Sequence, residues 1–351
     1  MKVSVLIKAL NEEAKIAAAV ESSLASIDGI EGEVVLADSL STDRTVEIAS
    51  RYPIKIVEFL HKADRGCGAG AQLAYQHSSG EYVYLLDGDM VLRPGFLREA
   101  IAFLDCNPEF AGVGGIVNNV YEHNLEFRAR KARSGSLFHA GEVNRLDCGG
   151  LYRRSALEKV EYFSDRNLHS YEELDLGLRL EAAEEKLMRL ASLSVDHYTH
   201  QVGAYELLWK RMSSGYALGS GELVRGALGG RHLWGVLTNL RMVIVVLFLA
   251  VWLVATIGAA VLFGNFFGAG IGLVIGLAIM AFPFAAMAVR HRSVALGIYS
   301  VVSWILNTVG FFRGFFAPRH NPRAFIPSRV IQQGVTPTRN PAVAGRSSAA
   351  G

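Results

Sequence analysis

Glu81-Tyr82-Val83-Tyr84-Leu85-Leu86-Asp87-Gly88-Asp89 (EYVYLLDGD) runs five apolar residues straight into two carboxylates separated by one glycine. Like charges this close are unfavourable unless something neutralises them. The next basic residue along the chain is Arg93, so the neutralising group is a base from elsewhere in the sequence or a divalent cation. In an extended segment the side chains of residues i and i+2 share a face, and Gly88 between the acids leaves room for a ligand to approach the backbone. Hard oxygen donors with few other protein ligands suit Mg2+ or Mn2+ held jointly with substrate phosphates. Asp-Gly is also a common hairpin dipeptide. The following Met90-Val91-Leu92-Arg93-Pro94, however, lacks the alternation of a returning strand.

Outward from this stretch, strand and helix patterns alternate. Residues 3–7, 33–37, 54–59 and 82–86 read as strands, and 12–23, 42–51, 70–77 and 95–104 as helices. Repeated β-α units imply a mostly parallel sheet covered on both faces. Ligands of such sheets bind beyond the carboxyl ends of the strands. Asn11, Asp38 and the Asp87/Asp89 pair each follow a strand end, which gathers three polar sites on one edge. Further on, 111–117 and 147–153 read as strands or strand ends and 172–186 as a helix, without an internal repeat.

Charge divides the chain in two. All 33 acidic residues lie at or before Glu222, and only arginines, eleven of them, carry charge after it. Residues 242–262 and 266–289 are uncharged and apolar, each longer than the roughly 20 residues that cross a bilayer core. Residues 294–312 are also uncharged but include Ser300, Ser303, Asn307 and Thr308. The expected organisation is a soluble domain (1–222), a juxtamembrane or interfacial segment (223–241), a membrane region of two or three helices (242–316) and a disordered basic tail (317–351). Arg225, Arg231, Arg241, Arg290 and Arg292 flank the first two spans and favour the cytosolic side. Gly264-Asn265 then lies outside, and 294–312 either crosses at some cost or lies re-entrant or in the interface. Met1 and Lys2 lead directly into strand-like sequence, with no room for a signal-peptide core. The chain is therefore expected in the inner or plasma membrane, with its soluble domain in the cytosol. Cys67, Cys106 and Cys148 form neither a CxxC pair nor a disulfide framework.

Several segments, taken in order, resemble a family 2 glycosyltransferase of the GT-A fold over about the first 220 residues. SVLIKALNEE (Ser4 to Glu13) is similar to that family's opening strand and Asn-Glu-Glu turn, with Lys8 and Leu10 in place of proline and tyrosine. DSLSTDRT (Asp38 to Thr45) resembles its Asp-Asp-Gly-Ser-x-Asp-Gly-Thr loop, keeping Asp38, Ser41, Asp43 and Thr45. RGCGAGA (Arg65 to Ala71) resembles its glycine-rich stretch, and Asp87-Gly88-Asp89 its metal-binding Asp-x-Asp. The resemblance implies an inverting transferase that uses nucleotide-diphosphate sugars, a UDP-sugar ahead of other donors. Asn11, Glu13, Asp38, Arg65, Gly66 and Asp87 are then the nucleotide-sugar contacts, with Asp38 on the base. Asp87 and Asp89 hold Mg2+ or Mn2+, and His197 is a further metal candidate.

Asp147 to Arg154 (DCGGLYRR) resembles the loop below the acceptor pocket, ending in a basic pair, and Tyr171 to Leu176 (YEELDL) the acidic motif that carries the general base. By that alignment Glu173 is the base, with Glu172 and Asp175 as the other catalytic candidates. A second explanation exists for Glu173: Ser170 and Glu173 have the spacing of a helix capping box. The Gln-x-x-Arg-Trp motif of processive synthases is missing, which points to one sugar per acceptor. The expected function is transfer to a hydroxyl of a lipid-linked oligosaccharide or glycolipid, in cell-envelope or exopolysaccharide synthesis, with no nucleic-acid partner. A polyprenyl-phosphate sugar synthase is the alternative, and a non-catalytic membrane-anchored binding protein a remote one.

Overall fold

A computed structural model describes residues 1–120, 139–147, 149–198 and 203–334. Cys148, singled out above, lies outside the described residues. The N-terminal half is built from β1 (Val3–Ala9), α1 (Ile16–Ser26), β2 (Gly32–Asp38), α2 (Thr45–Ala49), β3 (Lys55–Phe59), α3 (Cys67–Gln76), β4 (Tyr82–Asp87), β5 (Met90–Leu92) and α4 (Phe96–Cys106). β6 (Phe110–Asn119), β7 (Gly141–Val143), β8 (Gly150–Arg153), α5 (Arg154–Lys159), α6 (Glu172–Ala182) and β9 (Lys186–His197) complete the sheet domain apart from its last strand. The short helices α7 (Ala204–Ser213), α8 (Gly219–Ala227) and α9 (Leu233–Asn239) lead to α10 (Arg241–Phe267), α11 (Ala269–His291) and α12 (Val294–Phe315), and β10 (Ser328–Gln332) follows.

The strands form one sheet in the order β10-β3-β2-β1-β4-β8-β6-β9-β5, with β7 on β9. β1 pairs in parallel with both β2 and β4. It is buried on both faces, which is why its sequence is a continuous apolar run rather than an alternating one. α1 covers one face with Ile16, Ala19, Val20 and Ser23, spaced as one helical stripe. α3 covers the other with Ala69, Ala71, Leu73 and Ala74. Gly88 and Asp89 turn the chain out of β4, and β5 pairs with β9 instead of folding back on β4.

Two expected boundaries are corrected. Residue 222 is not a domain edge: Leu223, Val224 and Ala227 of α8 are buried with Leu168, Leu174 and Leu178 of the sheet domain and with Phe311 of α12. Within the tail expected to be disordered, residues 317–334 are ordered. β10 extends the sheet on the β3 edge, Ile326 is fully buried, and Gln76 Nε2 donates to the Ile326 carbonyl at 2.8 Å. Its proline- and arginine-rich composition hid a strand whose partners lie some 270 residues earlier. α10, α11 and α12 are each long and apolar enough to cross a membrane.

Candidate functional site

The parallel register stacks the strand ends in a row: Ala9 stands beside Asp38, and Lys8 beside Asp87. The chain builds β2 and β3 on one side of β1 and then returns to place β4 on the other. The β1/β4 junction is therefore a switch point, where a crevice opens beyond the carboxyl ends. A cleft of about 600 Å³ lies there, lined by Lys8, Glu12, Arg65, Asp87, Asp89 and Tyr216 among others.

Lys8 is the base that answers the opening pair of acids. Its Nζ lies 3.1 Å from Asp87 Oδ1 and 2.5 Å from Glu172 Oε1. Burial disfavours the ammonium, but Asp87 and Glu172 outweigh that and hold it well above the usual lysine range. Burial also raises Asp87, against the pull of Lys8. Asp89 is buried against a second group: its Oδ2 lies 3.4 Å from His197 Nε2 and 3.7 Å from Lys15 Nζ. The antiparallel pairing of Met90 with His197 brings the histidine there. His197 Nδ1 sits 3.1 Å from Asn119 Oδ1. With the proton on Nδ1, donated to Asn119, Nε2 turns a lone pair toward Asp89, the arrangement of a metal-ligating histidine with an outer hydrogen-bond partner. Glu12, which the sequence reading passed over in favour of Glu13, is pushed up to about 7 by burial and then by Asp89. This end of the cleft thus carries acid that a cation would relieve. Among the described residues no three His, Cys, Asp or Glu side chains converge into a complete cage. The Asp89–His197 pair with Asp87 nearby is a donor set of the kind that shares an octahedral ion with phosphates.

The expected nucleotide contacts divide. Arg65 and Gly66 line the cleft, and Arg65 Nη1 donates to the Ser39 carbonyl at 3.1 Å. Asn11 and Glu13 are exposed and knit two loops together, accepting from the Thr42 and Arg44 amides at 2.8 and 3.1 Å. Asp38 is fully buried and accepts from the amide and hydroxyl of Ser41 at 2.8 and 2.6 Å. It lies beneath the floor, and burial raises its pKa.

The acidic helix α6 is preceded by Tyr171, held at φ 70°, a strained value for a non-glycine residue. The capping box does not form: no side chain caps the helix, and Ser170 Oγ instead donates to the Tyr216 carbonyl at 2.9 Å. Glu172 is buried against Lys8. Glu173 is half-buried and pushed up to about 8 by burial and then by Glu172 and Asp147. Asp175 is not brought to the cleft. One helical turn on, Arg179 Nε donates to its Oδ2 at 2.8 Å, and that guanidinium also holds the carbonyls of Val160, Tyr162 and Phe163. Arg153 and Arg154, expected near the acceptor, bind carbonyls around Leu104, Phe110 and Gly80 at the amino end of β4. Burial, with Glu172 adding, pushes the Cys67 thiol up to about 12, which excludes a thiolate nucleophile at neutral pH. His169 also lines the cleft. The hydrogen bond from its ring to buried Glu222, 2.9 Å from Nδ1 to Oε1, raises its pKa.

Residues 4–161 match the family model described as glycosyl transferase family 2. The putative glycosyltransferase EpsE of Bacillus subtilis is 30% identical over 198 residues, which are 51% of this chain and 66% of that protein. The poly(ribitol-phosphate) beta-N-acetylglucosaminyltransferase TarS of Staphylococcus aureus is 34% identical over 110 residues, which are 30% of this chain and 19% of that protein. The match thus spans less than two thirds of either relative's own length. The structure of the Pyrobaculum calidifontis mannosyltransferase PcManGT, in complex with GDP-Man and Mn2+, is similar in fold with a TM-score of 0.56. It is 16% identical, and the likeness covers 90% of this chain and 87% of that one.

Proposed function

Through residues 4–161 the chain belongs to glycosyl transferase family 2, and from that premise we propose that it moves one sugar from a nucleotide-diphosphate sugar, UDP-sugars first among the candidates, to a hydroxyl of a membrane-borne acceptor. A lipid-linked oligosaccharide or glycolipid of the cell envelope, or of an exopolysaccharide, is the acceptor class. One observation carries the reading. At the β1/β4 switch point, Asp87 and Asp89 with His197 stand across Lys8 from the Glu172/Glu173 end of α6. Donor and acceptor chemistry then stand on the two sides of Lys8.

Asp89 and His197, with Asp87, would hold Mg2+ or Mn2+, which when bound offsets charge on the donor diphosphate. Arg65 and Gly66 border the diphosphate, and the 38–45 loop shaped by Asp38 borders the base. The acceptor hydroxyl attacks the anomeric carbon on the face opposite the diphosphate. The new C–O bond forms as the old one breaks, its electrons leave with the diphosphate, and the hydroxyl proton passes to Glu173. Lys8 keeps the Asp87 and Glu172 carboxylates close together without repulsion. Crossing of the bilayer by α10 and α11, with the arginines at their ends in the cytosol, puts this chemistry at the cytosolic face.

Purified full-length protein, given labelled nucleotide sugars and a lipid extract of its own host, should yield lipid carrying a single added sugar. A ladder of products, or label that reaches only water with every donor and extract, would overturn the reading.

A further inference from the structure

β10 hydrogen-bonds to β3 in register, Ser328 opposite Phe59 and Val330 opposite Val57, so residues on both sides of the apolar region belong to one sheet. A sheet does not extend through a bilayer, so a chain that leaves it before α10 and rejoins it at β10 has crossed an even number of times. α10 and α11 are the two longest apolar helices and pack against each other, Trp252 Nε1 donating to the Ile279 carbonyl at 2.9 Å. That leaves α12 on the catalytic side.

The contacts of α12 agree along its length. Near its start, the Tyr299 ring meets Tyr205 of α7, centroids 5.2 Å apart. Near its end, a Cβ on Gly314 would come within 2.0 Å of the Leu218 carbonyl, and one on Gly310 within 2.5 Å of the Ala217 carbonyl. Across the same seam, a Cβ on Gly221 of α8 would come within 1.8 Å of the Phe311 carbonyl. These glycines are where backbone meets backbone, and larger residues would prise α12 off the domain. Residues 299 and 314 are about 22 Å apart along a helix, so α12 lies along the catalytic domain rather than leading away from it. On its other side it touches the basic ends of the hairpin, through Gly297 against Ala288 and Trp304 against Phe248.

The remaining face is apolar and open: Ile305, Val309, Phe312 and Phe316 are exposed, and Trp209 and Trp234 on α7 and α9 are 74% and 75% exposed. Tryptophan of this kind favours the membrane–water boundary, and a helix with one apolar face beside polar structure lies in the plane of that boundary. After Glu222 the chain has no acid, and Arg313 closes α12, as suits a surface against lipid headgroups.

We propose that the chain crosses the bilayer twice, and that α12 lies flat in the headgroup–acyl boundary of the leaflet facing the catalytic domain, seating the cleft on the lipid surface. This rests on α10 and α11 crossing a bilayer and not on the transfer reaction, so its test uses no turnover. The native Cys106, exposed on the catalytic domain, reports that domain's side. In cells, an impermeant thiol reagent should label Asn265→Cys from one side, and Cys106 and Gln333→Cys together from the other. Labelling of Gln333→Cys from the Asn265→Cys side would overturn the two-crossing topology. Spin labels at 305, 309 and 312 in reconstituted full-length protein should all report a depth about 15 Å from the bilayer centre, the edge of the hydrocarbon core. A label at 254 should sit near the centre. A label at 305 as deep as the one at 254 would overturn the flat placement even if the crossings count to two.

Discussion

Glu173→Gln separates chemistry from folding at one atom. The carboxyl titrates at about 8, so at pH 7 roughly nine-tenths of it is protonated in the free protein, and glutamine closely mimics that neutral form. No helix cap is lost, because none is formed. The two proteins should therefore be about equally stable below about pH 4.5, where the unfolded wild type holds the proton too, and the variant should be the more stable of the two at neutrality. Transfer should fall by about 10²–10⁴, the usual worth of a positioned base, or roughly 3–5 kcal/mol of transition-state stabilisation. The pH profile supplies the signature. The wild-type kcat/KM should rise with pH and level off above about 8, as the carboxylate form fills, while the residual activity of the variant should lack that step. The linkage runs the other way for stability. The folded protein holds this proton more tightly than the unfolded chain, so wild type loses stability relative to the variant as pH rises from about 4.5 through about 8. Initial rates of labelled-sugar transfer across pH 5.5–9.5, with thermal unfolding in parallel, measure both. Near-normal transfer with an unchanged profile would refute the base assignment and favour an acceptor that is already anionic, such as a polyprenyl phosphate.

Other perturbations should sort the residues around it. Asp175→Asn should leave transfer nearly intact but lose about 2 kcal/mol by urea unfolding, since it weakens a buried charged hydrogen bond to Arg179; loss of transfer at unchanged stability would return Asp175 to the catalytic set. Lys8→Met strands Asp87 and Glu172 without their shared cation and should cost roughly 3 kcal/mol, somewhat less than a fully buried pair because Asp87 is partly exposed. A stability change within error there would mean that the two acids do not rely on Lys8. Ending the chain after Phe316 removes β10 and buried Ile326 and should cost about 3 kcal/mol from the isoleucine alone. A melting temperature equal to that of wild type would contradict the role assigned to β10.

The sequence makes the frame of the site legible because local pattern determines it. Apolar runs broken by Asn11, Asp38 and Asp87 mark strand ends, and a parallel sheet places strand ends together. What it hides is set by register and by distant contacts. Nothing near Lys8 says that it lies opposite Asp87 and within reach of Glu172, 164 residues away. Its replacement of a proline expected from the resemblance was the one available signal. Glu12 and Glu13 are indistinguishable until the turn after β1 directs one inward and pairs the other with Arg44. His169 gains its importance from Glu222, 53 residues on, at the start of the helix that carries α12. Asp175, Arg153 and Arg154 look chemical in a motif, yet each is taken up by the packing of its own neighbourhood. The strand at 328–332 follows prolines and arginines, and only the open edge of β3 gives it a partner.

The central claim, that the β1/β4 cleft is a metal-assisted nucleotide-sugar site, is tested most directly by calorimetric titration of the full-length protein with UDP-, GDP- and dTDP-sugars. Each titration is run with Mn2+, with Mg2+ and with excess chelator, on wild type and on Asp89→Ala. Asp89 packs against His197 and Lys15 at the cleft and contributes nothing to the apolar core, so the variant should remain folded. At least one donor should bind wild type with either metal, and that binding should vanish in chelator and in Asp89→Ala. Equal donor affinity in chelator, or in a folded Asp89→Ala, would contradict the account.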